Sequence, residues 1–231
     1  MTIVAVAAAA ASALVAHPTE RAAAVSQAPE LSIRLVGNAG VSLSDGTTSL
    51  LVDLPYKPGA FGYMHYDPDA LRPVGATISV ITHHHDDHFD AGLFLSRPGW
   101  RIIGPPSVTA RLPLERVLSG DSVTVGAFTV IAIQSPHTDD HRSYRIRWRG
   151  RVLHFTGDTE NAAVFPAEPR PDILFATPWL NCSIEGNGTS RPPRVVLYHL
   201  LADGSDRICG QAEVHVQGTE LRLGAVTPTR S

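Results

Sequence analysis

A short apolar, β-branched run, Ile78 to Thr82, leads straight into Thr82-His83-His84-His85-Asp86-Asp87-His88-Phe89-Asp90. Runs of that kind read as buried strands, so the polar cluster begins where a strand leaves the core. Written as H-x-H-x-D-H, it presents His83, His85, Asp87 and His88 from a tight strand-to-helix connection. Four nitrogen or oxygen donors can converge there without a distant partner. Taken alone, such a run fits solvated surface as well as it fits a ligand set. The rest of the chain shifts the balance. His137 follows a strand end in Ser135-Pro136-His137-Thr138, Asp158 lies in Phe155-Thr156-Gly157-Asp158-Thr159, and His199 closes the apolar strand Val195 to Tyr198. Each is a ligand-type residue at the end of a buried strand. Together they amount to five His and two Asp, enough for two adjacent metal ions with positions left for water and substrate.

Histidine is concentrated, with seven of the eleven lying between His83 and His154. The only cysteines, Cys182 and Cys209, are far apart, so neither a CxxC zinc site nor a CxxC redox pair is available. Any metal must be held by nitrogen and oxygen. The 231 residues, 43% hydrophobic and 18% charged, suffice for one full-sized core. A formal charge of -3 and the lack of about twenty consecutive apolar residues exclude disorder and an integral membrane span as whole-chain descriptions.

Ile3 to Ala16 is apolar and Ala-rich, the length of a signal-peptide core and too short for a bilayer span. Residues 1–30 are therefore expected to be a signal peptide or a disordered Ala-rich tail, and 31–231 the folded domain. Export to the periplasm or medium is the expectation. A cytoplasmic protein is the alternative, because no Lys or Arg precedes the run and several small residues compete as cleavage points. In an exported chain the two cysteines could pair, closing a loop of roughly 28 residues for about 3 to 4 kcal/mol.

Elsewhere, short strands separated by Gly, Pro, Asn and Asp dominate. Strands are expected at Leu31 to Val36 and Ser49 to Asp53. Hairpins are expected at Gly126-Ala127 and at Gln217-Gly218, the latter between Val214/Val216 and Leu221/Leu223. Helical stretches are short: Asp90 to Leu95, Ser107 to Leu112, and Asn161 to Phe165.

The ordered set resembles the motifs of the metallo-β-lactamase superfamily: an Asp ending an early strand (Asp53 in Leu51-Val52-Asp53), H-x-H-x-D-H, a His, a bridging Asp and a last His. The resemblance covers roughly residues 31 to 223. It implies an α/β fold, the four-layer αββα sandwich, and a dinuclear metal-dependent hydrolase. In that scheme His83, His85 and His137 hold one divalent ion and Asp87, His88 and His199 the second. Asp158 bridges them, and Asp53 lies behind the site. Zinc is the expected metal, with manganese or iron as alternatives. A metal-bridging hydroxide would attack the substrate, oriented by Asp87 as the catalytic residue.

Subfamily features narrow this. True β-lactamases lack the bridging Asp. Glyoxalase-II-type thioesterases need a further C-terminal helical region to hold glutathione, and 32 residues follow His199. RNA-processing members carry an extra domain or arm, so no nucleic-acid partner is expected. The wording Thr156-Gly157-Asp158-Thr159, with His137-Thr138-Asp139-Asp140-His141, is most similar to the L-ascorbate-6-phosphate-lactonase-like branch, itself related to N-acylphosphatidylethanolamine phospholipase D enzymes. The implied substrate is a lactone or carboxylic ester. A phosphodiester is the alternative, as is a non-catalytic metal-binding protein of the same fold. Thr177 to Pro193 departs from the family, because Pro178, Gly186, Gly188, Pro192 and Pro193 argue against the long helix usual there and predict a reduced outer helical layer.

Other residues carry weaker expectations. Arg145, Arg147, Arg149 and Arg151 read as a solvated hairpin face over Ile146 and Trp148, with anion binding as the alternative. Tyr56, Phe61, Tyr63, His65 and Tyr66 populate the loop after Asp53, either as an aromatic lid or as core. His84, Asp86 and His141 are expected to orient ligands, and His154 and His215 to be plain strand residues.

Overall fold

Strand β1 (Glu30–Gly37) alternates strictly, so Leu31, Ile33 and Leu35 fall on one face and are buried, while Ser32 and Arg34 fall on the other. The same period in β2 (Gly40–Ser44) buries Val41 and Leu43 beside them. The computed structural model describes residues 28–161, 163, 169–186 and 192–226. The Ala-rich segment 3–16 and most of the helix expected at 161–165 lie outside the described residues.

Two sheets result. In the first, β1, β2 and β3 (Thr48–Val52) form an antiparallel meander, and β4 (Ala76–Val80) and β5 (Arg101–Ile103) continue in parallel. In the second, β6 (Ser122–Val125), β7 (Phe128–Gln134), β8 (Arg142–Trp148) and β9 (Arg151–Phe155) are antiparallel. They are followed in parallel by β10 (Ile173–Ala176), β11 (Val195–Leu197) and β12 (Glu213–Val214). The final strand, β13 (Glu220–Gly224), returns to the first sheet beside β1. The inner faces share one core, in which Ile33, Leu43, Val52 and Val80 meet Phe128, Ile146, Trp148, Phe155 and Phe175.

Among the described residues the α-helices are few: α1 (Ala91–Leu95), α2 (Pro106–Thr109) and α3 (Pro178–Gly186). Among the described residues none is long and apolar enough to cross a membrane. Asp90 starts α1 by accepting the Leu93 N–H at 2.9 Å. Together with the loop aromatics, α1 and α2 cover a second cluster on the outer side of the first sheet, built on Ile81, Phe94, Trp100, Ile102 and Val108.

The Pro- and Gly-rich 177–193 stretch holds no long helix among its described residues, only the nine residues of α3, which Pro178 begins in the first turn, where the missing N–H is no loss. Two expectations need correction. Gln217-Gly218 does not join a hairpin. Val214 pairs with Leu197 in the second sheet while Leu221 and Leu223 pair with Ile33 and Leu31 in the first, so each half completes an existing sheet rather than its neighbour. The arginines are not one solvated face. Arg145 is buried opposite His154, Arg147 and Arg149 are exposed, and Arg151 pairs with Asp172 at 2.9 Å.

Cys182 of α3 is bonded to Cys209 in the loop beyond β11, with Cα atoms 4.9 Å apart. Protein made in an oxidising compartment is expected to show a two-hydrogen mass deficit and no alkylatable thiol, and Cys209→Ser to lose about 3 kcal/mol of stability. Two freely alkylated thiols in the folded protein would refute the tie.

Candidate metal centre

The carboxyl ends of β3, β4, β9 and β11 open on the same side, the usual place for ligand-binding groups around parallel strands. Just past β3, Asp53 takes φ +46° and is fully buried. Its Oδ1 accepts the Thr82 N–H at 2.8 Å, the Thr82 hydroxyl lies 3.0 Å from both oxygens, and Oδ2 lies 3.1 Å from His88 Nδ1. The Thr82 proton is thereby committed to Asp53, which leaves its oxygen to accept from His83 Nδ1 at 3.0 Å. One carboxylate thus sets the outward nitrogen of two rings, and both His83 and His88 turn Nε2 towards the same volume.

Three groups of potential donors meet there, each with its ligand atoms within 4.8 Å of one another: His83, His85 and His137; His83, His88 and Asp158; and Asp87, His88 and His199. All seven residues expected from the sequence are brought together. His137 is the most exposed of them, and its loop is anchored to the start of α2 by Asp140, whose oxygens accept the Ser107 N–H at 2.7 Å and hydroxyl at 2.8 Å.

The donor atoms point at one another. His83 Nε2 and His85 Nδ1 are 3.0 Å apart, as are His88 Nε2 and His199 Nε2. His199 Nε2 is 3.2 Å from both Asp87 Oδ2 and Asp158 Oδ2. Burial disfavours charge on His88, yet the carboxylates of Asp158 and Asp53 overcome it and hold the ring well above its ordinary range. Asp158 is opposed by burial in the same way and is held well below the carboxylate range by His88 and His199. His83 is pushed far down, first by burial and then by His88. The centre therefore favours positive charge between its carboxylates. Asp158 Oδ1 is buried with no hydrogen-bond donor, although His88 Nε2 lies 3.2 Å away. An all-nitrogen-and-oxygen set whose donor atoms face one another, and which gathers positive charge around two buried carboxylates, fits divalent cations.

The residues around these seven divide less simply than expected. His84 and Asp86 are exposed, His84 with its ring edge-on to that of His85 at 5.2 Å and Asp86 pairing with Lys57 at 3.4 Å. His141 is buried, which pushes its pKa down to about 4, and it accepts the Asp158 N–H at 3.1 Å. His154 lies in β9, where burial and then Arg145 push it to about 3. His215 falls just past β12 and contacts Glu213 at 2.8 Å. The loop aromatics split into two roles. Tyr56 and Tyr66 are core, locked by the Tyr66 hydroxyl donating to Tyr56 O at 3.0 Å. His65 is exposed. Phe61 is 70% exposed with its ring 6.4 Å from His85, and Tyr63 sets its ring edge-on to His199 at 4.2 Å.

Two residues were not foreseen. Asn38, at φ +48° between β1 and β2, donates to Asp87 O at 2.8 Å while its own carbonyl accepts the His199 N–H at 2.8 Å. Asn in a tight turn was the available signal, but its partners lie 49 and more residues away. Trp179 of α3 stands 5.1 Å from the His199 ring and donates to Asp158 O at 3.3 Å.

No family model matches the chain. A protein named hydroxyacylglutathione hydrolase from Chelativorans sp. (strain BNC1) is 35% identical over 130 residues, 53% of this chain and 48% of that protein. The chain thus spans about half the length of this relative. Igni18, described as a novel metallo hydrolase from the hyperthermophilic archaeon Ignicoccus hospitalis, superposes with a TM-score of 0.67 at 15% identity, covering 84% of this chain and 98% of that one. The metallo-beta-lactamase fold protein YhfI from Bacillus subtilis gives 0.58 at 14% identity, covering 84% and 99%. The chain has the metallo-β-lactamase fold.

Asp53→Ala is expected to orphan the Thr82 and His88 donors and to cost roughly 2 to 4 kcal/mol. The loss should appear as a lower urea midpoint with an unchanged slope. A midpoint equal to the parent's would show that this carboxylate does not hold the ring.

Proposed function

We propose that this chain is a metal-dependent hydrolase that holds two divalent cations, zinc first among them, and cleaves a carboxylic acyl bond: a lactone, ester or thioester. The observation that carries the reading is the convergence of seven ligand-type side chains from separate strand ends on one volume. His83, His85 and His137 would hold one cation, Asp87, His88 and His199 the other, with Asp158 between them. When bound, such ions polarise an acyl carbonyl and activate water for attack on it.

The chain's own residues supply the rest. Asp87 is buried, and its backbone carbonyl is held by the Asn38 side chain. Opposed by burial, its pKa is nonetheless lowered by His199 and His88, so it stays ionised and can accept a hydrogen bond from the attacking water and orient it. Asp53 holds His88 through Nδ1, so that a cation displacing the Nε2 proton would find the lone pair there aimed at the second position. Phe61, Tyr63 and Trp179 border the centre with aromatic faces, which suits an apolar acyl group and limits access of bulk water.

The relative's name supports an acyl rather than a phosphoryl centre. Among acyl substrates a lactone follows from the motif wording shared with the lactonase-like branch, and a thioester from that relative. The disulfide supports an oxidising compartment, periplasmic or extracellular, consistent with the Ala-rich segment 3–16 acting as an export signal.

Purified without chelator, the protein should carry or take up about two equivalents of zinc or manganese and turn over generic lactone, ester or thioester reporters, losing that activity to a chelator. Under half an equivalent with no uptake on reconstitution would sink the metal reading. Turnover of phosphodiester reporters alone would replace the acyl substrate class. Asp158→Ala should lower kcat by roughly a thousandfold, about 4 kcal/mol, while the circular dichroism spectrum is kept. Near-normal turnover would mean that Asp158 does not bridge.

A further inference from the structure

Behind Asp158 a chain of hydrogen bonds closes on itself. The Asp158 N–H is a backbone donor, so His141 Nε2, 3.1 Å away, must carry its lone pair there. The ring proton is then on Nδ1, 2.9 Å from Ser135 Oγ, which accepts it. Ser135 passes its own proton to Ser143 Oγ at 2.7 Å, and Ser143 donates to Thr156 O at 2.6 Å. The chain starts at the N–H of residue 158 and ends at the carbonyl of residue 156, gripping the Thr156-Gly157-Asp158 turn from both sides. All three side chains are buried. A Cβ on Gly157, which sits at φ +58°, would stand 2.3 Å from His141 Nε2, so the ring is seated directly on the turn. The Gly157 N–H goes to the Tyr198 hydroxyl at 2.6 Å, which leaves the Asp158 N–H to depend on His141 alone.

We infer that His141 is a positioning residue for Asp158, its tautomer set by the Ser135–Ser143 relay. The relay aims the Asp158 carboxylate between the two halves of the centre by fixing its backbone, without His141 donating an atom to the metal set. This rests on the proposed metal reading. It accounts for a buried histidine that neighbours the ligands, its ring 5.2 Å from that of His83 and 5.4 Å from that of His137, yet falls in none of the three donor groups.

Cobalt(II) is the probe, followed by its visible ligand-field bands during titration of the full chain. In His141→Leu the volume is kept and the acceptor lost, and affinity should fall by about tenfold or more with altered bands, as is usual when a group orienting a ligand is removed. His141→Gln can place its Oε1 where Nε2 stood and should recover affinity to within about threefold. Ser135→Ala removes the relay and leaves the His141 Nδ1 proton only the Ser135 backbone carbonyl to hold it, and should weaken cobalt less than Leu does but measurably. It decides the matter should His141→Leu fail to fold. Wild-type affinity and bands in a folded His141→Leu, or in Ser135→Ala where Leu does not fold, would overturn the inference. Absence of cobalt uptake by the wild type would overturn the metal reading itself, and this inference with it.

Discussion

Two carboxylates, those of Asp87 and Asp158, are buried among imidazoles, and a buried carboxylate persists only where donors or positive charge meet it. The rest of the centre follows from that requirement. His88 and His199 are held above their ordinary range because they face these oxygens, while His83, a short step further from them, is driven the other way by burial. Asp53 behind His88 adds a third negative group that no solvent reaches, and its acceptor capacity is filled by Thr82 and His88. A centre so rich in buried negative charge and facing nitrogens is stable in proportion to the cationic charge it can gather. That is the property a hydrolytic metal site needs.

The scaffold converts this local chemistry into a defined geometry. The ligand-type residues lie where strands leave the shared core, so Val80, Phe155, Val196 and their neighbours hold them in place by packing. Side chains behind these residues then restrict the turns themselves. Asn38 ties the Asp87 and His199 segments together, and His141, Tyr198 and Trp179 between them satisfy the backbone polar groups around Asp158. The disulfide adds a covalent link between α3, which carries Trp179, and the loop that follows His199. With three short α-helices among the described residues, much of the outer bracing there falls to loops and to this link.

One loop with two characters borders the centre. Tyr56 and Tyr66 bury their rings and exchange hydrogen bonds, which anchors the segment at both ends. Between them Phe61 is left exposed and Tyr63 leans on His199, a placement supported by the backbone bridge from Tyr63 to Leu201. The aromatic border is therefore built on anchored backbone, the arrangement that lets a site be both selective and open.

Residue type and local spacing alone determined the strands that open the chain, the H-x-H-x-D-H run at the end of β4, and the ligand-type residues at later strand ends, because alternation and strand termination are local properties. Nothing local distinguishes Tyr56 from Tyr63, or His84 from His85, since each pair has the same chemistry and differs only in which side of the loop meets the core. The pairing of Val214 with Leu197 rather than across its own turn was likewise invisible, because a short strand joins whichever sheet edge offers hydrogen bonds and burial. The prolines and glycines of 177–193 were legible as a limit on helix length, whereas the start of α3 at Pro178 was not, because a proline breaks a helix interior but begins a helix without penalty. Tertiary structure alone decided the tautomers of His83, His88 and His141, and the contact of His199 with His88 across 111 residues. These depend on partners that only chain folding brings within hydrogen-bonding distance.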